Sequence, residues 1–326
     1  MSRPHLTSIL AGTAALTLGL AACSSSGGKE ETSGSGSGGA GGVDTPEMTV
    51  SLVTHAAPGD TFWDQVRAGA EAAAKKNNVK LEYTADPDGA KQAQLVQQAV
   101  DKGVDGIAVT LSKPAAMKAN VEGAVNADIP VVALNAGMDE WQDMGALSFF
   151  GQDDRLAGEA AGERFTEEGA GKVLCVIQEQ GHVGLEARCE GAAEKFDNTE
   201  KIYVKGTDTA NVQSTITAKL QQDKDITHVF TLGAPFAMVA LDSVGEAGSE
   251  AKVATVDINK DALQAIKDGK IEWAVDQQPW LQGYLAVDSL WLRVNQGATM
   301  GGQEPVFTGP AFVDDSNVDV LLENAS

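Results

Sequence analysis

Between Val53 and Trp63 the chain reads Val-Thr-His-Ala-Ala-Pro-Gly-Asp-Thr-Phe-Trp, a short apolar run that ends in a loop. The loop sets one carboxylate, Asp60, just ahead of two aromatic rings, Phe62 and Trp63. That combination suits a polyhydroxylated ring. The axial C–H groups of a pyranose are weakly apolar and lie well against an aromatic face, while its hydroxyls want a few fixed hydrogen-bond partners. The same residues also read as an ordinary helix start, with Asp60 as cap and Phe62 and Trp63 in the core.

The surrounding elements decide where such a loop would lie. From Met48 onward, β-branched runs at 49–53, 80–83, 106–110 and 131–135 alternate with helical stretches at 62–76, 90–102 and 114–127. In the second helical stretch Ala93, Val96, Ala99 and Val100 share one face at helical spacing. Repeated βαβ units call for a parallel sheet with right-handed crossovers and helices on both faces. Ligands of such sheets bind at the carboxyl ends of the strands, where the loop holding Asp60 falls.

After Asn135 come a loop containing Trp141, an apolar run at 146–150, and Gly151-Gln152-Asp153-Asp154 opening another helix. The rhythm then restarts through 172–178, 186–196, 202–204, 212–222, 227–231, 236–244, 253–257 and 261–267. The fold class is therefore α/β, with two doubly wound parallel-sheet domains. A strand at 272–275, a break at Gln277-Gln278-Pro279, a helix at 280–294 and an extended run at 305–313 are left over, enough to weave back between the domains. No short repeat is present, which disfavours a solenoid.

The amino-terminal stretch reads differently. Residues 1–22 have a basic start at Arg3, an apolar run and small residues before Cys23, the pattern of a secretory leader too short to span a membrane. Leu20-Ala21-Ala22-Cys23 resembles the bacterial lipobox, which implies acylation of Cys23 and an extracytoplasmic, membrane-anchored protein. Residues 23–46, rich in Ser and Gly, read as a flexible tether. The formal charge of −22 becomes one unit more negative once Arg3 leaves with the leader. Such acidity argues against nucleic acid and against anionic lipid as partners. Of three cysteines, Cys175 and Cys189 remain, an even remainder that suggests a disulfide in an oxidising compartment, with two buried thiols as the alternative.

Catalysis has little support. Cys189, His182 and Asp257 form a conceivable nucleophilic set, but pairing with Cys175 accounts better for the thiol, and no nucleophile elbow or phosphate loop is present. The run Asp257-Ile258-Asn259-Lys260-Asp261 begins like a calcium loop but lacks its glycine and distal glutamate. No cofactor and no metal are expected, and the protein is read as a binder.

Several separated motifs point further. Gly59-Asp60-Thr61-Phe62-Trp63, Val104-Asp105-Gly106-Ile107-Ala108-Val109 followed by Pro114, and Pro130-Val131-Val132-Ala133-Leu134-Asn135 occur in order in the first half. Gly181-His182-Val183-Gly184-Leu185-Glu186-Ala187-Arg188, Val256-Asp257 and Asp276-Gln277-Gln278-Pro279 follow in the second. Together they resemble the sugar-binding proteins of the ribose and galactose/glucose type, the type I solute-binding proteins of ABC importers. The resemblance implies two lobes, 47–151 plus 279–307 and 152–278 plus 308–326, joined by three hinge crossings near Gly151, Gln278 and Phe307. It also implies a monomer that closes on a small-molecule sugar and delivers it to permease subunits.

By the same resemblance Asp60, Phe62, Trp63 and Asn135 contact the ligand from the first lobe, and Arg188, Asp257 and Gln277 from the second, with His182 and His55 as further candidates. Each has a plainer reading: a surface ion pair for Arg188, a cap for Asp257, a loop start for Gln277 and structural imidazoles for the histidines. The chain departs from the family at Ala136, Gly184 and Gly233, where polar contacts to an aldohexose are expected. Their loss implies a polyol, a cyclitol or a deoxygenated sugar, with the aromatic pair carrying more of the recognition. A same-fold receptor for a furanosyl signal or another non-sugar solute, feeding a sensor or an importer, is the alternative.

Overall fold

A computed structural model of the chain describes residues 44–324. The leader, the acylation site at Cys23 and the tether as far as residue 43 lie outside the described residues. No helix among the described residues is long and apolar enough to cross a membrane.

The first sheet grows from β1 (Met48–Thr54), β2 (Val79–Ala85), β3 (Gly106–Thr110), β4 (Val131–Leu134) and β5 (Phe149–Gly151), separated by α1 (Phe62–Lys76), α2 (Gly89–Lys102) and α3 (Pro114–Asn126). The second uses β6 (Val173–Ile177), β7 (Thr199–Tyr203), β8 (His228–Thr231), β9 (Lys252–Val256) and β10 (Ala274–Asp276). Its helices are α4 (Asp154–Glu167), α5 (Val183–Lys195), α6 (Thr209–Gln222), α7 (Ala234–Ala247) and α8 (Lys260–Lys267). The chain then returns through α9 (Pro279–Gln296) to β11 (Val306–Phe307) on the first sheet and ends with β12 (Ala311–Val313) and α10 (Val318–Asn324) on the second. The strand orders are β11-β5-β4-β3-β1-β2 and β12-β10-β9-β8-β6-β7. The β10–β12 pair is the one antiparallel pairing among the described residues. The chain passes between the sheets after Gly151, after Asp276 and between Phe307 and Ala311.

Strand periodicity builds the cores. Val53, Ile107, Val109, Val131 and Ala133 face one side of the first sheet, and Val50, Leu52, Ala108, Val132 and Leu134 face the other. Because successive side chains alternate, each strand feeds two apolar layers while its carboxyl end stays free for a loop.

Three helix starts differ from expectation by two or more residues; one is α6, which begins at Thr209 rather than 212, with the Asp208 carboxylate accepting from the Asn211 N–H. Helix α5 begins at Val183 rather than 186, because the His182 imidazole accepts from the backbone N–H groups of Gly184 and Leu185 and caps the first turn. Helix α7 begins at Ala234 rather than 236, with Pro235 in the first turn, where its missing N–H costs nothing. Helix α10 was not anticipated from the sequence.

The helices that carry site residues are held close. A side chain on Gly158 or Gly191 would collide with the backbone of the facing helix, so α4 and α5 touch main chain to main chain. A disulfide joins Cys175 in the middle of β6 to Cys189 on α5, with 5.9 Å between Cα atoms. Helix α5 is thereby tied to the sheet beneath it beside Arg188.

Candidate functional site

The carboxyl ends of the two sheets face each other across a cavity of about 780 Å³. All nine residues singled out from the sequence, His55, Asp60, Phe62, Trp63, Asn135, His182, Arg188, Asp257 and Gln277, line it. All but Arg188, which sits in the second turn of α5, follow a strand or open a helix at that edge, so one geometric rule brings most of them together.

On the first lobe, Asp60 Oδ1 accepts from the Phe62 N–H at 3.1 Å, which shapes the turn before α1 while the carboxylate stays on the cavity. The residue flanking the helix is Thr61, which makes no side-chain cap. Burial raises the Asp60 pKa, opposed by the Phe62 hydrogen bond. The two rings differ in role. Trp63 is buried in the core beneath β1, whereas Phe62 is half-buried; they meet edge to face with centroids 5.0 Å apart.

Asn135 and Asp257 occupy matching places after β4 and β9, and both have φ of 68°. Asn and Asp tolerate that left-handed conformation better than most residues. Gln277, just beyond β10, links them across the lobes: its Oε1 accepts from Asn135 Nδ2 at 3.0 Å and its Nε2 donates to Asp257 Oδ1 at 2.6 Å. Gln282 Nε2 donates to Gln277 Oε1 at 3.0 Å, and the Thr308 hydroxyl donates to the Gln277 carbonyl at 2.7 Å. Burial pushes the Asp257 carboxyl up to about 7, against the pull of Arg188 and the Gln277 hydrogen bond.

Arg188 is 3% exposed and donates from Nε to Asp154 Oδ1 at 2.8 Å. Asp154 is the first residue of α4, immediately after the first crossing, and Gln152 Nε2 also donates to it at 3.1 Å. This carboxylate explains Gly184, because a side chain there would run into Asp154 Oδ2. Asp154 does not line the cavity, so it supplies a reason for glycine at 184 without returning a polar contact to the ligand.

Gly233 has a steric reason as well. The ring of Phe236, on the first turn of α7, lies over Gly206 and Gly233, and a Cβ on either would approach it within 3.2 Å. Phe236 lines the cavity from the second lobe, as Phe62 and Trp63 do from the first. Neither Asp154 nor Phe236 was selected from the sequence. No local signal marks either one: Phe236 reads as an apolar residue at a helix start, and Asp154 as one of several acidic residues at another.

The lobes also touch each other around the cavity. His182 Nε2 lies 3.1 Å from His55 Nε2, the Val183 N–H donates to the Ser112 carbonyl at 3.0 Å, and Lys113 pairs with Glu179 at 2.7 Å. Elsewhere on the rim, Gln65 Nε2 donates to the Ile258 carbonyl at 3.2 Å. Burial drives both imidazoles toward the neutral form: His55 falls to about 3 and His182 well below the ordinary value. Ligating atoms of His55, Glu179 and His182 lie within 4.8 Å of one another, a spacing a cation can bridge. The fit fails chemically, because while Nδ1 of His182 caps α5 its proton sits on Nε2 and leaves no lone pair for a metal.

A family model described as a periplasmic binding protein domain matches residues 50–298. The chain is 29% identical over 236 residues to the ribose import binding protein of Bacillus subtilis, covering 70% of this chain and 76% of that protein. It is 25% identical over 276 residues to a xylitol-binding protein of Mycolicibacterium smegmatis, covering 81% and 77% respectively. Among solved structures, a carbohydrate transporter from Acidothermus cellulolyticus in complex with myo-inositol is 53% identical, with a TM-score of 0.85 over 86% of this chain and 98% of that one.

Proposed function

This chain belongs to the periplasmic binding protein family, and from that premise we propose that it captures a cyclitol or a related monosaccharide or polyol and delivers it to an ABC importer. It is a solute-binding protein and not an enzyme. The observation that carries the choice of ligand class is the division of the cavity into aromatic and polar walls. Phe62 and Phe236 stand on opposite lobes, and the buried cluster of Asn135, Gln277, Asp257 and Arg188 joins them.

A ring bearing hydroxyls all round its edge suits those walls. Its two faces lie against the aromatic side chains, while Asp257 and Asp60 accept from hydroxyls and Arg188 and Asn135 donate to them. Gln277 does both. Hydroxyl donors on a ligand would oppose the upward shift that burial gives the Asp257 carboxyl, because such donors favour the carboxylate. The similarity to the inositol-bound structure supports a cyclitol first and an aldose second.

In this reading the lobes 47–151 plus 279–307 and 152–278 plus 308–326 swing about the three crossings and close on the ligand. A lipid on Cys23 anchors the monomer outside the cytoplasmic membrane, and removal of that residue releases the protein into the medium.

Calorimetry of the protein against myo-inositol, xylitol, ribose, galactose and a furanosyl compound tests the assignment. Tightest binding to myo-inositol is the expected result. Tightest binding to the furanosyl compound supports the signal-receptor reading instead, and binding to none of the five overturns the proposed ligand class.

A further inference from the structure

We propose, on the solute-binding reading given above, that Gln282 is a positioning residue behind the wall of the cleft: it fixes which end of the Gln277 side-chain amide faces Asp257. Gln282 does not line the cavity. It is fully buried at the fourth position of α9, where the second crossing has just returned the chain to the first lobe. Its Nε2 donates to the backbone carbonyl of Gln277 at 3.0 Å and to Oε1 of the same residue at 3.0 Å. Thr308 Oγ1 lies 3.2 Å from that nitrogen, and the hydroxyl in turn donates to the Gln277 carbonyl at 2.7 Å.

A side-chain amide has nearly the same shape whichever way round it lies, so its direction is set by the groups it touches. Around Gln277 most neighbours leave that choice open. Asn135 meets Gln277 at 3.0 Å and Gln282 at 3.3 Å, both amides themselves, and follows whichever way they point. The Asp257 carboxyl, 2.6 Å from the far end of Gln277, accepts when ionised and donates when protonated, and burial lifts it to about 7, so both forms are populated near neutral pH. A backbone carbonyl has no such choice, because it only accepts. The Gln277 carbonyl therefore holds Gln282 with Nε2 inward, Gln282 Nε2 takes Gln277 Oε1, and Gln277 Nε2 is left for Asp257. One main-chain oxygen thus sets, through Gln282, the polarity of a side chain on the cavity wall.

Without Gln282 the Gln277 amide is free to turn. With Oε1 toward Asp257 it presents a lone pair to the carboxylate and opposes ionisation, where the N–H had favoured it. The other charged groups acting on Asp257 are Arg188, which favours the carboxylate, and Asp276 and Asp60, which oppose it. Among the described residues none of these three hydrogen-bonds to Gln282, whose partners are Gln277, Asn135 and Thr308. A substitution at 282 therefore reaches Asp257 through Gln277.

Carbon-13 NMR of the ligand-free full chain labelled at Asp carboxyls, with the Asp257 signal assigned by its loss in Asp257→Asn, tests this without any solute. In Gln282→Met, which keeps the length and the apolar stem, Asp257 is expected to titrate about one pH unit higher than in the unaltered protein. Gln282→Asn, whose amide falls one methylene short, is expected to give the same rise and serves if the Met variant does not fold. In a Gln277→Ala background the change at 282 is expected to move the Asp257 titration no further. An unchanged titration in the 282 variants overturns the proposal, and so does an equal rise in the Gln277→Ala background, since the effect then does not pass through Gln277. Calorimetry with myo-inositol supplies the second readout. Gln282→Met is expected to weaken binding about tenfold, and the pH at which affinity falls on acidification is expected to move up with the Asp257 titration. Equal weakening at every pH, with that midpoint unmoved, marks a merely structural role and overturns the proposal. Failure of the unaltered protein to bind myo-inositol counts against the ligand assignment alone, because the titration is read with no solute present.

Discussion

The carboxylate of Asp154 occupies the space a side chain on Gly184 would need, and from there it holds Arg188 Nε at 2.8 Å. A glycine on one helix thus makes room for an acid on another, and the acid fixes Arg188, which lines the cavity. Conformation is not what demands glycine here; the demand is for volume beside a buried ion pair.

Gly184→Ala is therefore expected to displace Asp154 and disturb the pair. Overpacking of this kind costs about 1–3 kcal/mol, visible as a lower melting temperature, and affinity should fall as Arg188 loses its fixed geometry. An unchanged melt with unchanged affinity would mean that the Asp154 side chain is free to move aside.

Asp154→Asn keeps the shape and removes the charge. Arg188 is left buried without its counterion, a situation that costs about 3–5 kcal/mol. Replacing both residues with apolar ones of similar volume should recover most of the stability and none of the binding. The double-mutant cycle, read by denaturant unfolding and by calorimetry, separates these two effects.

Phe236→Ala should weaken ligand binding by about tenfold to a hundredfold, since it removes an aromatic face and the apolar area it covers. Because the ring is half-buried, the melting temperature should change little. The contrast is Trp63→Ala, which opens a cavity in the core under β1 and should cost about 3–5 kcal/mol of stability. Equal stability losses in both variants would place Phe236 in the core instead of on the ligand.

Asp257→Asn should stabilise the ligand-free protein in a pH-dependent way. The carboxyl is raised from 3.8 to about 7 by burial, so its contribution is intact below the unfolded value and is lost as pH rises through about 7. The variant lacks that loss, so its advantage in melting temperature should grow from about pH 4 to about pH 7 and then level off. Asn also accepts the φ of 68° at this position. A difference independent of pH would show that the carboxylate is well solvated in the free protein. Binding should weaken, because an amide is a poorer acceptor for hydroxyls than a carboxylate.

Much of this architecture was legible in the order of residue types. Period-two apolar runs alternating with period-3.6 stretches specify βαβ units, and those units place every strand's carboxyl end on one edge. Residues that follow strands, such as Asn135, Asp257 and Gln277, can therefore be assigned to one cavity without coordinates. His55 and Asp60 follow from the same edge, whereas Arg188, the sixth residue of α5, is assigned to the cavity only through the family resemblance.

Other relationships depend on distance alone. Asp154 and Gly184 are 30 positions apart, and nothing in either stretch announces that one fills the other's space. Phe236 reads as an ordinary apolar helix residue until Gly206 and Gly233 are seen to open a notch for its ring. The approach of His182 to His55 spans 127 positions and needs both lobes. Local pattern determines which backbone element forms and which end of it is exposed, because propensity and periodicity act over a few residues. Which side chains share one small volume is decided only when the sheets and helices pack, because steric exclusion and buried charge pairing act through space and not along the chain.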